Sequence, residues 1–299
     1  MTATIECVPN FSEGRRKDII DKIVQSIRSV PGIKVLDVES DPDHNRSVVT
    51  FVGSNESVQE AAFRGAKAAS ELIDLTKHSG QHPRMGALDV LPFIPIEGST
   101  MKDCIHIANR VGARIASELK IPVYLYEEAA RRPDRKNLEN VRRGQFEGLR
   151  EAIKTDEARS PDYGPRSVHP TAGATAVGAR MPLIAFNVNL NTNDINIAKE
   201  IAKKIRTSSG GLPHVKALGL YLDARNMAQV SMNLTDYTVT SVSTVFDAVK
   251  KEAEVRGVTV AEGEVIGLIP LDAVCDLAAK HVMTPTLTSN QVLERRIWG

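Results

Sequence analysis

The sequence predicts an α/β protein of the α+β type, built from two ferredoxin-like β-α-β-β-α-β subdomains with antiparallel-rich sheets and helices on one face. The first observation behind this prediction is that segments of helical and of alternating hydrophobic period follow each other in that order twice. The second is the length of 299 residues, which suggests about two domains. We place the boundary at residue 180, between an N-terminal subdomain of residues 1–180 and a C-terminal subdomain of residues 181–299.

The first half begins with a strand at residues 3–8 and an amphipathic helix at residues 15–29, where isoleucines recur at helical spacing. Ser57 and Glu60 have the spacing of a capping box, which predicts that a second helix begins there. Further strands near 33–40, 46–53 and 89–95 complete the motif. A helix near 100–118, a strand at 122–125 and helical segments from about 128 to 157 extend it.

The second half repeats the order of elements without convincing sequence identity to the first. A turn-rich segment, Ser-Pro-Asp-Tyr-Gly-Pro at residues 160–165, links the two halves. The predicted strands lie near 183–188, 214–222, 226–235 and 264–268, and the predicted helices near 193–207, 241–256 and 271–281.

The composition narrows the class of protein. The net charge of +1 gives no general attraction for nucleic acid or for an anionic membrane. No apolar stretch reaches the roughly 18 residues that a membrane span needs. The three cysteines are far apart and odd in number, which is typical of reduced thiols. We therefore expect a cytoplasmic protein without a signal peptide, without a membrane segment and without a nucleic-acid partner.

One face of each predicted sheet is polar. Acidic residues at 37, 39 and 41 alternate with apolar ones in the first half, as do amide and hydroxyl residues at 187, 189, 191, 229, 231 and 233 in the second. Such alternation is normal for a sheet with one solvated face. It is equally compatible with two polar faces that line a shared groove for a polar ligand, and the sequence leaves both interpretations open.

The segment of residues 77–90 collects ionisable side chains in a loop. His78, His82 and an arginine lie among Gly80 and Pro83, which interrupt both helical and strand periodicity, just before an apolar run. Loops that carry such groups on a rigid strand are common positions for catalytic residues. Because imidazole titrates near neutral pH, the pattern predicts an active-site loop with His82 or His78 as the acid–base.

Other motifs are weaker. His78 and His82 are four residues apart, as in a helical metal pair, but Gly80 and Pro83 oppose a helix and no further ligand cluster follows. We expect no metal. The glycines at 173 and 178 lack the Lys-Ser/Thr ending of a phosphate loop, and Cys7 lies in an apolar strand, as a core residue does. Residues 163–180 form either a plain linker or a loop whose backbone approaches a ligand.

Nine short strings together resemble the glutamate formiminotransferase family, and the resemblance is collinear over about residues 4–281. The strings are ECVPNFSEG (6–14), NR (45–46), TFVG (50–53), HPRMGALDV (82–90), PVYLY (122–126), PDYGP (161–165), GAR (178–180), AFNVN (185–189) and AQVSMNL (228–234). The resemblance implies two ferredoxin-like subdomains and the transfer of a formimino group from N-formimino-L-glutamate to tetrahydrofolate, the co-substrate, in histidine breakdown.

The resemblance also implies roles for particular residues. The histidine of the His-Pro-Arg-Met-Gly string, here His82, is the acid–base. The segment after Asp-Tyr-Gly-Pro contacts folate. This chain differs there, because Thr171 and Ala172 precede Gly173 where the vertebrate enzymes have a tryptophan before the glycine. The implied folate-binding residues are Gly164, Pro165, Arg166, Ser167, Val168, His169, Pro170, Thr171, Ala172 and Gly173.

Both substrates carry glutamate carboxylates, which guanidinium groups bind in a fork. The expected substrate-binding residues are the arginines Arg46, Arg84 and Arg180, the amides Asn10 and Asn45, and Glu39. The carboxylate that fixes the tautomer of His82 is Asp37, Glu39 or Asp89, and the sequence does not rank them.

Two alternatives remain at this stage. The same architecture can transfer a formyl group between N-formylglutamate or 5-formyltetrahydrofolate and its partner, or it can bind folate without turnover. The polar sheets and the habit of the family favour a homodimer. Since no cyclodeaminase part follows the transferase in this sequence, we expect any such activity to reside in a separate protein.

Overall fold

The computed structural model describes residues 3–42, 44–80, 83–284 and 287–298. The chain divides into two compact units, residues 1–180 and 181–299. Each unit contains one sheet, and helices pack on it. None of the helices in the described part of the chain combines the length and the apolar character that a membrane-spanning helix needs.

The strands of the first unit form one mixed sheet. Strands β1 and β2 both pair with β4 on one side and with β5 on the other, so they act as a single interrupted strand in the order β3-β4-β1/β2-β5. This is the predicted ferredoxin-like order, and two parallel strands, β7 and then β6, extend it beyond β5. The bounds are β1 Ile5–Cys7, β2 Asn10–Phe11, β3 Lys34–Asp41, β4 Arg46–Gly53, β5 Leu88–Pro95, β6 Val123–Glu127 and β7 Thr175–Ala179.

The helices of the first unit cover its sheet unevenly. Helices α1, α2 and α3 pack on one face over a large apolar core. The short helix α4 and helix α5 cover the opposite face, but only near β5, β7 and β6, where Tyr124 and Tyr126 are buried. The other end of that face is left to polar side chains. The bounds are α1 Lys17–Arg28, α2 Asn55–Leu72, α3 Met101–Leu119, α4 Leu138–Val141 and α5 Gln145–Thr155.

The predicted start of α2 is wrong by a few residues. The helix begins at Asn55, and the Ser54 hydroxyl accepts from the backbone N–H of Ser57 at 3.3 Å as its N-cap. Glu60, the expected end of the capping box, instead contacts Arg64 and Arg114. Both serines fit a cap, and the structure uses the one that directly follows β4.

The second unit has the ferredoxin-like topology. Its four strands are all antiparallel in the order β11-β8-β10-β9, and α6 and α7 bury one face. The last strand begins at Val260, earlier than predicted, because a bulge between Val260 and Glu262 breaks the alternation. The bounds are β8 Ile184–Leu190, α6 Ile195–Ile205, β9 Val215–Leu222, β10 Met227–Leu234, α7 Val242–Val255, β11 Val260–Ile266, α8 Leu271–His281 and α9 Leu293–Trp298.

The polar alternation predicted on β3 lies on the face opposite α1 and α2. Asp37, Glu39 and Asp41 stand opposite Thr50, Val48 and Arg46 of β4. The intervening β4 residues Val49 and Phe51 belong to the helix-covered core. In the second unit the corresponding polar row is hydrogen-bonded across strands: Gln229 donates to Asn189 Oδ1 at 2.9 Å, and Asn189 donates to Glu262 Oε1 at 2.9 Å.

Candidate functional site

His78 is fixed at the start of the ionisable loop. Its Nε2 lies 3.0 Å from the carbonyl oxygen of Asn45, and its Nδ1 accepts from Nε of Arg84 at 3.1 Å. These partners require a neutral ring that carries its proton on Nε2. Burial, followed by the effect of the Arg84 cation, lowers the pKa of His78, although the Asn45 carbonyl opposes this shift.

Arg84 is held by an acidic partner from α5. Its guanidinium makes a fork on the Glu147 carboxylate, at 2.7 and 2.9 Å, and also donates to the backbone carbonyl of His78 at 3.3 Å. Only 11% of the Arg84 side chain is exposed. A substrate carboxylate can therefore reach this guanidinium fork only by displacing Glu147.

Asn45 joins two loops through a strained backbone. It has a φ of 49°, a conformation that asparagine tolerates better than most residues. Its Oδ1 accepts from Gly14 N and its Nδ2 donates to Ser79 O, both at 2.9 Å. Gly80 packs so closely that an added Cβ would lie 2.3 Å from the His44 carbonyl oxygen. The structure thus fixes the ionisable loop as far as Gly80.

His82, the predicted acid–base, lies outside the described residues, as does Gln81. The backbone that follows Pro83 is well anchored. Arg84 O accepts from Phe146 N at 3.0 Å, and Gly86 O accepts from the Ser12 hydroxyl at 2.7 Å.

Four predicted or neighbouring polar residues form a cluster on the polar face beside this loop. Arg46 donates to Asn10 Oδ1, and Asn10 pairs with Val90 of β5. Asp89, the residue before Val90, forms a buried ion pair with Arg142 at 2.5 Å and accepts from Met85 N at 2.7 Å. Burial, and then the nearby Arg142 cation, lowers the pKa of Arg46 to about 10.

The segment of residues 164–173 is anchored firmly at its start. The buried Asp162 carboxylate accepts from Leu125 N at 2.8 Å and pairs with Arg135 at 2.6 Å. Tyr163 O accepts from Val123 N at 2.9 Å. Gly164 has a φ of 92° and packs against the backbone of Ile121 and Pro122. The resembling string at 161–165 therefore has a structural role that the sequence did not reveal.

The end of the same segment is tied to the ionisable loop. Leu75 N donates to Thr171 O and Ala87 N donates to Ala172 O, both at 2.9 Å. Gly173 has a φ of 72°, and an added Cβ would lie 2.2 Å from Met85 O. The structure thus brings the predicted folate-binding segment next to the loop of His78 and Arg84, while residues 165–167 between the anchors are exposed.

Arg180 and Glu39 occupy other parts of the first unit. Arg180 follows β7, and its cation lowers the pKa of Glu6, which burial raises more strongly. It also forms a hydrogen bond with Tyr126. Burial, and then Asp37, raises the pKa of Glu39, while Arg46 opposes the shift. Glu39 therefore lies with the Arg46 cluster, whereas Arg180 has its own acidic and aromatic neighbours.

Several residues of this region were missed by sequence reasoning. Three of them, Glu147, Arg142 and Asp162, form ion pairs with residues that are far away in the sequence. No local sequence pattern indicates such pairs. Glu13 is different, because it lies just before α1: its buried carboxylate accepts from Arg15 N and Arg16 N at 2.9 Å. An acidic residue at the start of a predicted helix could have been recognised in the sequence as an acceptor for the free backbone N–H groups there.

Neither a metal cluster nor a reactive thiol is found among the described residues. No group of three or more histidine, cysteine, aspartate or glutamate side chains there is arranged to hold a metal ion. Cys7, Cys104 and Cys275 are buried free thiols. Burial raises the pKa of Cys104 to about 12 and raises that of Cys7 strongly as well, so neither is an activated nucleophile.

Comparison with known families decides the family of this chain. The formiminotransferase domain, N-terminal subdomain, matches residues 4–180, and the formiminotransferase domain matches residues 185–295. The chain belongs to the formiminotransferase family. The two matched segments correspond to the two compact units.

Curated relatives agree along the whole chain. A glutamate formimidoyltransferase of Streptococcus pyogenes serotype M1 is 51% identical over 300 residues, covering all of both chains. One of Thermoplasma acidophilum is 48% identical and covers 98% of this chain and 97% of its own. The formimidoyltransferase-cyclodeaminase of Mus musculus is 47% identical over 93% of this chain, which corresponds to 52% of the mouse protein. This formiminotransferase is thus an enzyme that transfers one-carbon groups.

Proposed function

We propose that this chain is a glutamate formimidoyltransferase. It transfers the formimino group of N-formimino-L-glutamate to N5 of tetrahydrofolate, giving 5-formiminotetrahydrofolate and L-glutamate. The observation that carries the proposal is the 51% identity, over the full length of both proteins, to a relative of that name. The anchored loop beside the segment of residues 164–173 supports it, because two-substrate transfer needs rigid positioning of both partners.

In this reaction N5 of tetrahydrofolate attacks the formimino carbon, and a tetrahedral adduct then expels the glutamate nitrogen. N5 loses one proton and the leaving nitrogen gains one, and His82 performs both transfers as general acid–base. Such catalysis contributes roughly 10²–10⁴-fold to the rate. The state of His78 supports this choice, because its two ring nitrogens are occupied by Asn45 and Arg84, which leaves His82 as the candidate acid–base of the loop.

The acid–base needs a carboxylate to hold its tautomer, and the polar face offers candidates. Asp89 is already paired with Arg142 and Met85 N, whereas Glu39 is beside Asp37 with a raised pKa. The fully engaged state of Asp89 favours Glu39 or Asp37 for this role.

Tetrahydrofolate lies along residues 164–173 in this proposal. The segment is held at both ends by backbone hydrogen bonds, so its exposed middle presents backbone groups in a fixed geometry. Thr171 and Ala172 offer no aromatic ring, so contacts to folate here use the backbone and small side chains. Substrate carboxylates are bound by Arg46 and Arg180, with Asn10 and Asn45 as nearby amides. Arg84 can bind a substrate carboxylate only if that carboxylate displaces Glu147 from its guanidinium group.

The enzyme acts in the cytoplasm, in histidine degradation, as a homodimer. The exposed apolar residues Leu218 and Leu220 of β9, which are 61% and 41% exposed, support a protein contact on the second unit. The relatives that carry a cyclodeaminase in the same chain support the expectation that this transferase works together with a cyclodeaminase.

An assay with two donors tests the proposal. Purified protein is incubated with tetrahydrofolate and either formiminoglutamate or N-formylglutamate, and acid conversion to 5,10-methenyltetrahydrofolate is followed by absorbance. Product with formiminoglutamate alone is expected. Product only with the formyl donor would replace the proposal by formyl transfer, and no product with either donor would indicate a folate-binding protein without turnover.

The variant His82→Ala tests the acid–base. Turnover is expected to fall by roughly 10²–10⁴-fold, while binding of 5-formyltetrahydrofolate, measured by calorimetry, stays unchanged. His106→Ala removes an exposed histidine of α3 and is the matched control. Retained turnover in His82→Ala would reject the role.

A further inference from the structure

Arg46 is a largely buried cation with little compensation. Among the described residues, its side chain donates one hydrogen bond, and this goes to an uncharged amide oxygen, Oδ1 of Asn10. Its Nε is buried and has no partner, and within the described ranges Arg46 takes part in no ion pair. Burying a cation without a paired anion is costly. A guanidinium offers five donors, and most of those of Arg46 have no protein partner among the residues that the structure describes.

A second arginine in the same region, Arg142, also has a buried N–H group without a hydrogen-bond partner among the described residues. Arg142, at the end of α4, pairs with Asp89 through Nη2, but its Nε is also buried without a partner. Its cation is close enough to lower the pKa of Arg46, and it does so more than Asp89 opposes. Glu39 and Asp41 of β3 also act on Arg46, more weakly than Asp89.

The balance of direct charge contacts is positive. Asp89 is in direct contact with Arg142, whereas Asp89, Glu39 and Asp41 act on Arg46 without an ion pair to it in the described part of the chain, so Arg46 lacks a contacting anion there. One substrate carboxylate supplies the missing contact with a single negative charge. Arg142 keeps 14% of its side chain exposed and Arg46 is not fully buried, so a ligand can reach both.

The surrounding sheet holds this arrangement rigid. Asn10 pairs with Val48 of β4 and with Val90 of β5, so the residue that orients Arg46 is fixed between two strands. Asp89 is in turn fixed by Met85 N. Both guanidinium groups are therefore oriented before any ligand arrives, which reduces the entropic cost of binding.

We propose that Arg46 and Arg142 form a carboxylate subsite for the glutamate part of a substrate, with Asn10 and Asp89 as the positioning residues. The identity of the substrate rests on the proposed function. The glutamate carboxylate comes from the one-carbon donor or from the tail of the folate. Arg142 takes the role expected of Arg84, whose fork is occupied by Glu147.

The test compares Arg142→Gln with Arg143→Gln. Arg143 is the adjacent, exposed arginine, and its side chain donates to Asn140 Oδ1, so the control removes the same charge one residue away. KM for formiminoglutamate and for tetrahydrofolate is measured with the full chain. Calorimetric binding of L-glutamate and of 5-formyltetrahydrofolate is measured independently of turnover.

A charge-assisted hydrogen bond contributes about 1.5–3 kcal/mol, so Arg142→Gln is expected to weaken binding of one ligand by roughly 10–100-fold. Arg143→Gln leaves both ligands unchanged, and Arg142→Lys restores binding only in part, because an ammonium cannot form the fork. A rise in KM for formiminoglutamate together with weaker L-glutamate binding assigns the subsite to the donor. Weaker binding of 5-formyltetrahydrofolate alone assigns it to the folate tail.

Unchanged affinity for both ligands in Arg142→Gln and in Arg46→Lys would overturn the proposal and leave the arginines with a structural role. If Arg142→Gln does not fold because Asp89 is left unpaired, the double variant Asp89→Asn/Arg142→Gln removes both charges and gives the same comparison. The wild type could bind L-glutamate without catalysing formimino transfer. If Arg142→Gln then lost this L-glutamate binding, the subsite would be upheld while the proposed reaction would be rejected.

Discussion

Arg84 donates from its Nε to Nδ1 of His78 across 3.1 Å, so a cation and a neutral imidazole share one hydrogen bond in the candidate site. The bond exists only while Nδ1 has its lone pair free. Protonation of His78 would replace an attraction by a repulsion between two cations. The neutral state of His78 and the position of Arg84 are therefore linked.

Stability is expected to decrease in mild acid through His78. Burial lowers the pKa of His78 below its ordinary value, so the unfolded chain takes up this proton at a higher pH than the folded one. The contribution of His78 to stability is therefore complete above about pH 6.5. It is lost as the pH falls from there through the folded pKa. Urea unfolding of the wild type and of His78→Gln at pH 7.5 and 5.0 measures this effect.

The glutamine side chain can still donate to the Asn45 carbonyl, but it does not titrate. The difference in free energy of unfolding between the two pH values is expected to be smaller in His78→Gln than in the wild type. His106→Gln changes an exposed histidine of α3 and should behave as the wild type. An equal pH dependence in all three proteins would contradict the link.

Gly173→Ala is expected to weaken folate binding and to lower stability. The residue has a φ of 72°, and the new Cβ would lie 2.2 Å from the Met85 carbonyl oxygen. Such strain costs about 1–3 kcal/mol, and relieving it would move the segment that ends at Ala172 away from the ionisable loop. Calorimetric titration with 5-formyltetrahydrofolate and thermal unfolding measure the two effects.

Gly148→Ala is the matched control for this prediction. Gly148 lies inside α5, and no atom lies within 4 Å of an added Cβ, so the change should slightly stabilise the protein. Wild-type folate affinity in Gly173→Ala would mean that the segment of residues 164–173 does not bind folate in the way proposed.

Asp162→Asn is expected to destabilise the first unit strongly. The Asp162–Arg135 pair is buried, with 6% and 4% of the side chains exposed, and the substitution leaves the Arg135 cation without its anion. Breaking such a pair costs about 3–5 kcal/mol. The free energy of unfolding in urea checks this, and Asp162→Asn/Arg135→Met should recover part of the loss.

The exposed pair of Glu157 and Arg166 gives the comparison for the buried one. Its partners lie 2.8 Å apart but are 82% and 46% exposed, so Glu157→Gln should cost less than about 1 kcal/mol. If Asp162→Asn and Glu157→Gln lowered the free energy of unfolding by similar amounts, burial would not be the reason for the contribution of Asp162 to stability.

The thiols are expected to be unreactive in the folded protein. With a pKa of about 12, Cys104 is almost entirely protonated at pH 8, and burial raises the pKa of Cys7 well above its ordinary value. Titration with an aromatic disulfide reagent should show slow labelling in buffer and rapid labelling of all three cysteines in urea. Rapid labelling of Cys104 or Cys7 in buffer would contradict this.

The two ferredoxin-like units could be predicted from the sequence because hydrophobic period is local information. The spacing of the isoleucines in α1 indicates which face of the helix is buried, and the alternation of acidic residues in β3 does the same for the strand. The turn residues Gly80 and Pro83 likewise marked the ionisable loop. Two errors were also local: Ser54 and Ser57 compete for one cap, and the bulge after Val260 interrupts the alternation of β11. A third was not, because β7, predicted as part of a linker or loop, is a strand that pairs with the distant strands β5 and β6.

The partners within the candidate site were decided only by the tertiary structure. Arg84 meets Glu147 across 63 residues of chain and Arg142 meets Asp89 across 53, and the segment 164–173 ends beside Met85. The sequence by itself determined the elements, the polar face, the family resemblance and the choice of His82. Folding brings distant side chains together, and these contacts decide which arginine remains available to a substrate. The local hydrophobic period of the sequence carries no information about such contacts.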